Sequence, residues 1–263
     1  MSIPTQTSVS TGATAPGRHD EPSLSEQTAH RQMSRWGGMA GVLGAGLLAS
    51  SLAVVVALGL PDASDPETLT DFANIKSGRI AEHVLYLGAL VFFALQVLVL
   101  HLLLTRAHRA GALFGAAFAE FGFVMMAASS MLHVATAPLA DLYTAPGTSP
   151  SDLRAIEYAW HGAQSVFDTM LATGALLVPI GIVLLGLSML RAPLFSRSVA
   201  ILAIGLGAVG IIGAAIGIVD PGSMFLAASV LAIGVFHLCV GWATLKSSRT
   251  FGDSAASAPI LHD

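Results

Sequence analysis

The chain has 263 residues, 54% of them hydrophobic and 11% charged, with a net charge of −4 and a mean hydropathy of +0.73. Soluble domains carry about 25% charged residues, so this composition excludes an ordinary water-soluble globule and points to a membrane protein whose first partner is the lipid bilayer. The absence of any long basic tract excludes a nucleic-acid footprint, and the single cysteine, Cys239, excludes internal disulfides and Cys-rich metal sites.

Residues 1–34 are rich in Ser, Thr, Gly, Pro, Gln and charge without an apolar run, which predicts a disordered tail. The first apolar run starts at Trp36, is too long for a signal-peptide core and lacks a cleavage site, so it reads as a membrane span. Six segments reach spanning length: Trp36–Leu60, Val84–Leu104, Ala112–Thr136, Phe167–Leu190, Ser198–Val219 and Met224–Leu245. The predicted fold is therefore all-α, a polytopic transmembrane bundle over residues 35–246, followed by a short tail over 247–263.

Charges sort by side. Arg31, Arg35, Arg106, Arg109, Arg191, Arg197, Lys246 and Arg249 lie at one set of helix ends, and Asp62, Asp65, Glu67, Asp71, Glu82, Asp141, Asp152, Glu157 and Asp220 at the other, where only Lys76, Arg79 and Arg154 are basic. The positive-inside rule then puts both termini in the cytoplasm. Small residues four apart, Gly37 with Gly41 and Gly210, Gly213, Ala214 and Gly217 in the fifth span, predict close helix crossings within the bundle. Pro179 interrupts the backbone hydrogen bonding of the fourth span and predicts a kink.

The polar residues inside the spans are the candidate functional groups, because an ionisable side chain in hydrocarbon needs a partner or water. Gln96, Glu120 and His237 all fall about 10–12 Å from the cytoplasmic ends at the helical rise. They predict one buried polar layer in which Glu120 accepts from His237 or Gln96, either as a proton-handling pair or as plain interhelical glue.

A second layer is predicted at the outer boundary. Glu157, His161, Gln164 and Asp168 share one helical face, Arg79, Glu82 and His83 share another, and Ser129 and His133 are four apart. Together they predict an outward-facing polar pocket suited to a small-molecule or lipid ligand. An alternative reading gathers His83, His133, His161 and Asp168 around a metal, as in a zinc enzyme acting on a lipid or isoprenoid. No HExxH or paired-His spacing supports that reading, no phosphate loop or dinucleotide fingerprint is present, and no cofactor is expected.

Ser129 and His133 resemble part of the pattern of seven-helix hydrolases of the alkaline ceramidase and adiponectin-receptor type, but this sequence has six spans and no paired His on its last helix. The stretch from Gly174 to Pro179, the run from Leu190 through Arg191 and Pro193, and the Gly-rich fifth span resemble small bacterial six-span membrane proteins of unknown function. That resemblance implies a bacterial plasma membrane and a bundle of this size, and brings no activity with it. The functional expectation is a non-enzymatic transporter-like, sensory or accessory bundle.

Overall fold

The computed structural model describes residues 24–59, 68–220 and 223–256. The acidic residues Asp62, Asp65 and Glu67, the start of the predicted N-terminal tail and the end of the C-terminal one lie outside them. The described residues form seven helices: α1 (Leu24–Leu58), α2 (Thr68–Leu104), α3 (Arg109–Ala135), α4 (Ala137–Tyr143), α5 (Pro150–Met189), α6 (Arg197–Val219) and α7 (Phe225–Ala256). Six of them, all but the short α4, are or contain segments long and apolar enough to cross a membrane. Helix α1 begins inside the stretch predicted to be tail, and Arg31 Nε donates to the Ser248 carbonyl at 3.1 Å, tying α1 to α7.

Local signals explain the ends. Gly59, at φ +77°, closes α1 in the left-handed conformation that glycine adopts without strain, its amide bonding Val55 O. Ser149 and Ser196 cap α5 and α6 by accepting from Asp152 N and Val199 N. Between α3 and α4 the chain breaks at Thr136, where Pro138 in the next turn lacks the amide that would continue the helix. At Pro179, by contrast, α5 runs on as one helix.

The six long helices stand in a ring in the order α1, α2, α3, α5, α6, α7, with α7 returning against α1. Close backbone approach makes the ring tight. A Cβ on Gly181 would lie 2.5 Å from Gly115 O, and one on Gly174 would lie 2.7 Å from Gly122 O, so α3 and α5 touch backbone to backbone at two levels. Gly37 and Gly41 receive Val99 and Gln96 of α2, while Gly210 and Gly213 pack on Pro179 of α5 and on Phe225 of α7. The small residues therefore serve crossings within the bundle, as their spacing predicts.

Two apolar cores result. The larger fills the ring with Leu90, Phe93, Phe123, Met126, Val178, Ile182 and Phe236 among others. The smaller, Leu69, Phe72, Ala137, Ala140 and Trp160, lies where the early turns of α2 and α5 run past the ring and α4 folds over them. With 37 and 40 residues, α2 and α5 are each over 50 Å long at about 1.5 Å per residue, well beyond the roughly 30 Å of a hydrocarbon core. Their excess length carries this second core at the end of the bundle away from the termini, called distal below.

Gly181→Leu is expected to force α3 and α5 apart and to destabilise the purified protein by about 1–3 kcal/mol, the usual effect of overpacking. Gly46→Leu, at a position where an added Cβ would meet nothing within 4 Å, is expected to leave the unfolding temperature in detergent unchanged.

Candidate functional site: a buried Arg, Glu and His cluster

The face of α2 that meets α3 and α5 below α4 carries Arg79, Glu82, His83 and Tyr86, spaced three, one and three residues apart. All are buried, as are Ser130 and His133 of α3, Trp160 and Gln164 of α5 and Ser51 of α1. Arg79 Nη1 stands 3.4 Å from Glu82 Oε2, an ion pair by distance whose atoms are out of line for a hydrogen bond. Ser51 Oγ donates to the other carboxylate oxygen at 3.3 Å.

The two histidine rings lie against each other at a tilt. Their ring centroids are 4.7 Å apart, with planes tilted by 42°. His83 Nδ1 hydrogen-bonds Ser130 Oγ at 2.8 Å, and its Nε2 lies 3.6 Å from Glu82 Oε2. Gln164 Nε2 donates to His133 Nδ1 at 3.4 Å, which places the ring proton of neutral His133 on Nε2. Phe72, Trp160 and Phe167 wall the His133 ring at 5.4, 6.2 and 5.0 Å between centroids.

Several buried polar atoms here lack a hydrogen-bond partner: Arg79 Nε, His83 Nε2, His133 Nε2, Tyr86 Oη and Trp160 Nε1. Native interiors leave few such groups, so their concentration beside an ion pair makes this cluster the candidate site. Above it, α4 is held on both sides. Lys76 Nζ pairs with Asp141 Oδ1, and Tyr143 Oη donates to Glu157 Oε1 at 2.9 Å.

This arrangement corrects the predicted outer pocket in three ways. Arg79, Glu82, His83, His133 and Gln164 do come together, but as a covered cluster and not as an open vestibule. Glu157 belongs to the α4 clamp, while His161 and Asp168 are exposed on the other flank of α5, because the stripe they share with Gln164 is wider than the face the bundle covers. Ser129, fully buried, turns its hydroxyl back to Met126 O at 2.9 Å, and its neighbour Ser130 supplies the contact instead. The set His83, His133, His161 and Asp168 therefore does not converge, and among the described residues no group of three His, Cys, Asp or Glu side chains is placed to hold a metal.

The inner layer is also rearranged. Gln96 and His237 form a two-point lock: His237 Nδ1 donates to Gln96 Oε1 at 2.6 Å, and Gln96 Nε2 donates to the His237 carbonyl at 3.2 Å. Phe93 stacks on the ring at 4.0 Å, and Gly41 and Gly241 make room for the Gln96 amide. Glu120 is outside this lock. It is only half-buried, at the margin of the α3 face that turns away from the bundle, and its Oε1 has no hydrogen-bond partner. The predicted Glu120–His237 contact is not formed, because Glu120 lies at the margin of the outward α3 face while His237 is fully buried, its Nε2 left without a partner.

The site thus depends on Tyr86, Ser130, Trp160 and Ser51 as well as on the predicted residues. Tyr86 and Trp160 were readable from spacing, at three residues after His83 and four before Gln164. Ser51 lies on a separate helix and carries no signal of its own. Comparison of the chain with family models, curated proteins and solved structures returned no match.

Glu82→Ala is expected to destabilise the protein by about 3–5 kcal/mol, since it leaves the Arg79 guanidinium buried and unpaired. The double replacement Arg79→Met with Glu82→Met is expected to recover most of that loss, measured by thermal unfolding in detergent. Gln96→Leu should be milder, about 1–3 kcal/mol, for stranding the buried ring nitrogen of His237.

Proposed function

We propose that this chain is a multi-pass protein of a bacterial plasma membrane, with both termini in the cytoplasm, that acts as a non-enzymatic, proton-responsive sensory bundle. The topology rests on the charge distribution, with Arg31, Arg35, Arg106, Arg109, Arg191, Arg197 and Lys246 at the proximal helix ends. The responsive element is the contact between His83 and His133, whose rings lie 4.7 Å apart within a shell that also contains Arg79.

Histidine is the side chain whose ordinary titration falls in the physiological range. With both rings neutral, the cluster holds one cation, Arg79, against one anion, Glu82. Protonating both would put three cations beside one carboxylate in a region with little water, where repulsion between like charges is weakly screened. A proton on His133 Nδ1 would also remove the acceptor that Gln164 Nε2 now uses, so Gln164 would have to turn its amide oxygen to the ring. That change acts on α5 directly and on α4 through the core formed by Phe72, Ala140 and Trp160. Acid would thereby loosen the cover of the cluster.

Trp160 reports on this event, because its ring lies 6.2 Å from His133 and imidazolium quenches indole emission. In a Trp36→Phe, Trp242→Phe background in liposomes, Trp160 fluorescence is expected to fall in one transition as the outer pH drops from about 7 to 3, on the acid side of the ordinary histidine range because the like charges of the cluster oppose protonation. His133→Gln should flatten the transition and His83→Gln should shift it. Emission that stays constant over that range in the otherwise native chain would overturn the proposal. Reporter fusions at the C-terminus should behave as cytoplasmic, and a dye assay of proton flux into the same liposomes separates a sensor, with no flux, from a transporter.

A further inference from the structure

The proximal end of the bundle contains a second recognisable feature, remote from the histidine cluster. Toward their distal ends α6 and α7 meet closely, since a Cβ on Gly213 would lie 2.6 Å from Phe225 O. Toward the proximal end a groove of about 750 Å³ opens between Val199 of α6 and Leu238 and Trp242 of α7, with Lys246 at its rim. Phe195, buried in the main core by the α5–α6 turn, divides it from a neighbouring depression of about 530 Å³ lined by Arg191, Pro193 and Arg197.

The two halves differ in chemistry. The first is an apolar slot whose Trp242 is 64% exposed, the position an indole takes at the headgroup level of a bilayer. The second presents two exposed guanidinium groups, and no carboxylate lines either half. Among the described residues neither Arg191 nor Arg197 has an ion-pair partner. Arg197 also opens α6, where Ser196 Oγ caps Val199 N.

We infer that this composite groove binds one anionic phospholipid, its phosphate between Arg191 and Arg197 and an acyl chain along Val199, Leu238 and Trp242. A guanidinium pair matches a phosphate monoanion, and an apolar trough continuous with the bilayer matches a tail. A zwitterionic lipid would bring its own cation against the two arginines. The inference rests on the membrane placement proposed above but not on the histidine cluster, so either can fail alone.

Native mass spectrometry of the full chain released from detergent, with phosphatidylglycerol or phosphatidylcholine of identical tails added, tests it. The native protein is expected to retain phosphatidylglycerol preferentially. Arg191→Gln with Arg197→Gln should weaken that retention on the order of 25-fold, at a factor of about five per arginine near a membrane surface, and the corresponding pair of Lys substitutions should restore most of it. Trp242→Ala should weaken binding of both lipids. Equal retention of the two lipids by the native protein would overturn the inference, as would an unchanged preference in the Gln variant. Displacement of the lipid by inorganic phosphate alone, with no effect of Trp242→Ala, would reduce the site to a free-anion site and overturn it too. A chain that stays in aqueous buffer without detergent would instead remove the membrane placement itself.

Discussion

The backbone contact between α3 and α5 is the constraint on which the rest of the structure depends. Gly115 with Gly181 and Gly122 with Gly174 set the register of two antiparallel helices, because each Cβ-free position accepts the partner's backbone and little else. That register carries outward along both helices to His133 and Gln164, which meet only because the two glycine levels below them fit. The α1–α2 crossing does the same for the other side of the site. Gly41 and Gly44 fit Gln96 and Phe93, and further along α1 the hydroxyl of Ser51 reaches Glu82.

Polar groups then act at two depths in two different ways. The Gln96–His237 lock uses both amide atoms of the glutamine, is covered by Phe93, and joins α2 to α7, leaving His237 Nε2 as its one unpartnered atom. The Arg79–Glu82–His83–His133 cluster is the reverse: its members contact one another, but the ion pair is out of line and several nitrogens have no acceptor or donor. Burial of polar groups is tolerable when they are satisfied and destabilising when they are not. The first arrangement ties two helices together, and the second has the unused bonding capacity on which the proposed responsive role rests.

Much of this was legible in the sequence because hydrocarbon-length runs and helical spacing are strong signals. Six long helices, the face shared by Arg79, Glu82 and His83, and the inward direction of Gln164 all follow from them. Less legible was how wide a face each neighbour covers. His161 and Asp168 share the stripe of Gln164, but α5 is covered on one flank only at that height, so they lie outside. Choosing between Ser129 and Ser130 needed the rotation of α3 about its axis, which the α3–α5 glycines fix and no local pattern states. Depth alone put Glu120 level with His237, but partner choice depends on direction as well, and Gln96 had the better one. The pairs Gly115 with Gly122 and Gly174 with Gly181, seven apart, were present to be read but lie outside the four-residue spacing usually sought.

The overshoot of α2 and α5 has one more consequence in the membrane setting proposed here. The roof over the two histidines is made of Phe72, Ala140 and Trp160, the chain's own side chains, and not of acyl tails. A bilayer that thins or thickens by a few ångströms would slide along the outer walls of these helices while the rings stay sheltered. The site is in this sense insulated from hydrophobic mismatch, and the same sequence could work unchanged in membranes of different lipid length.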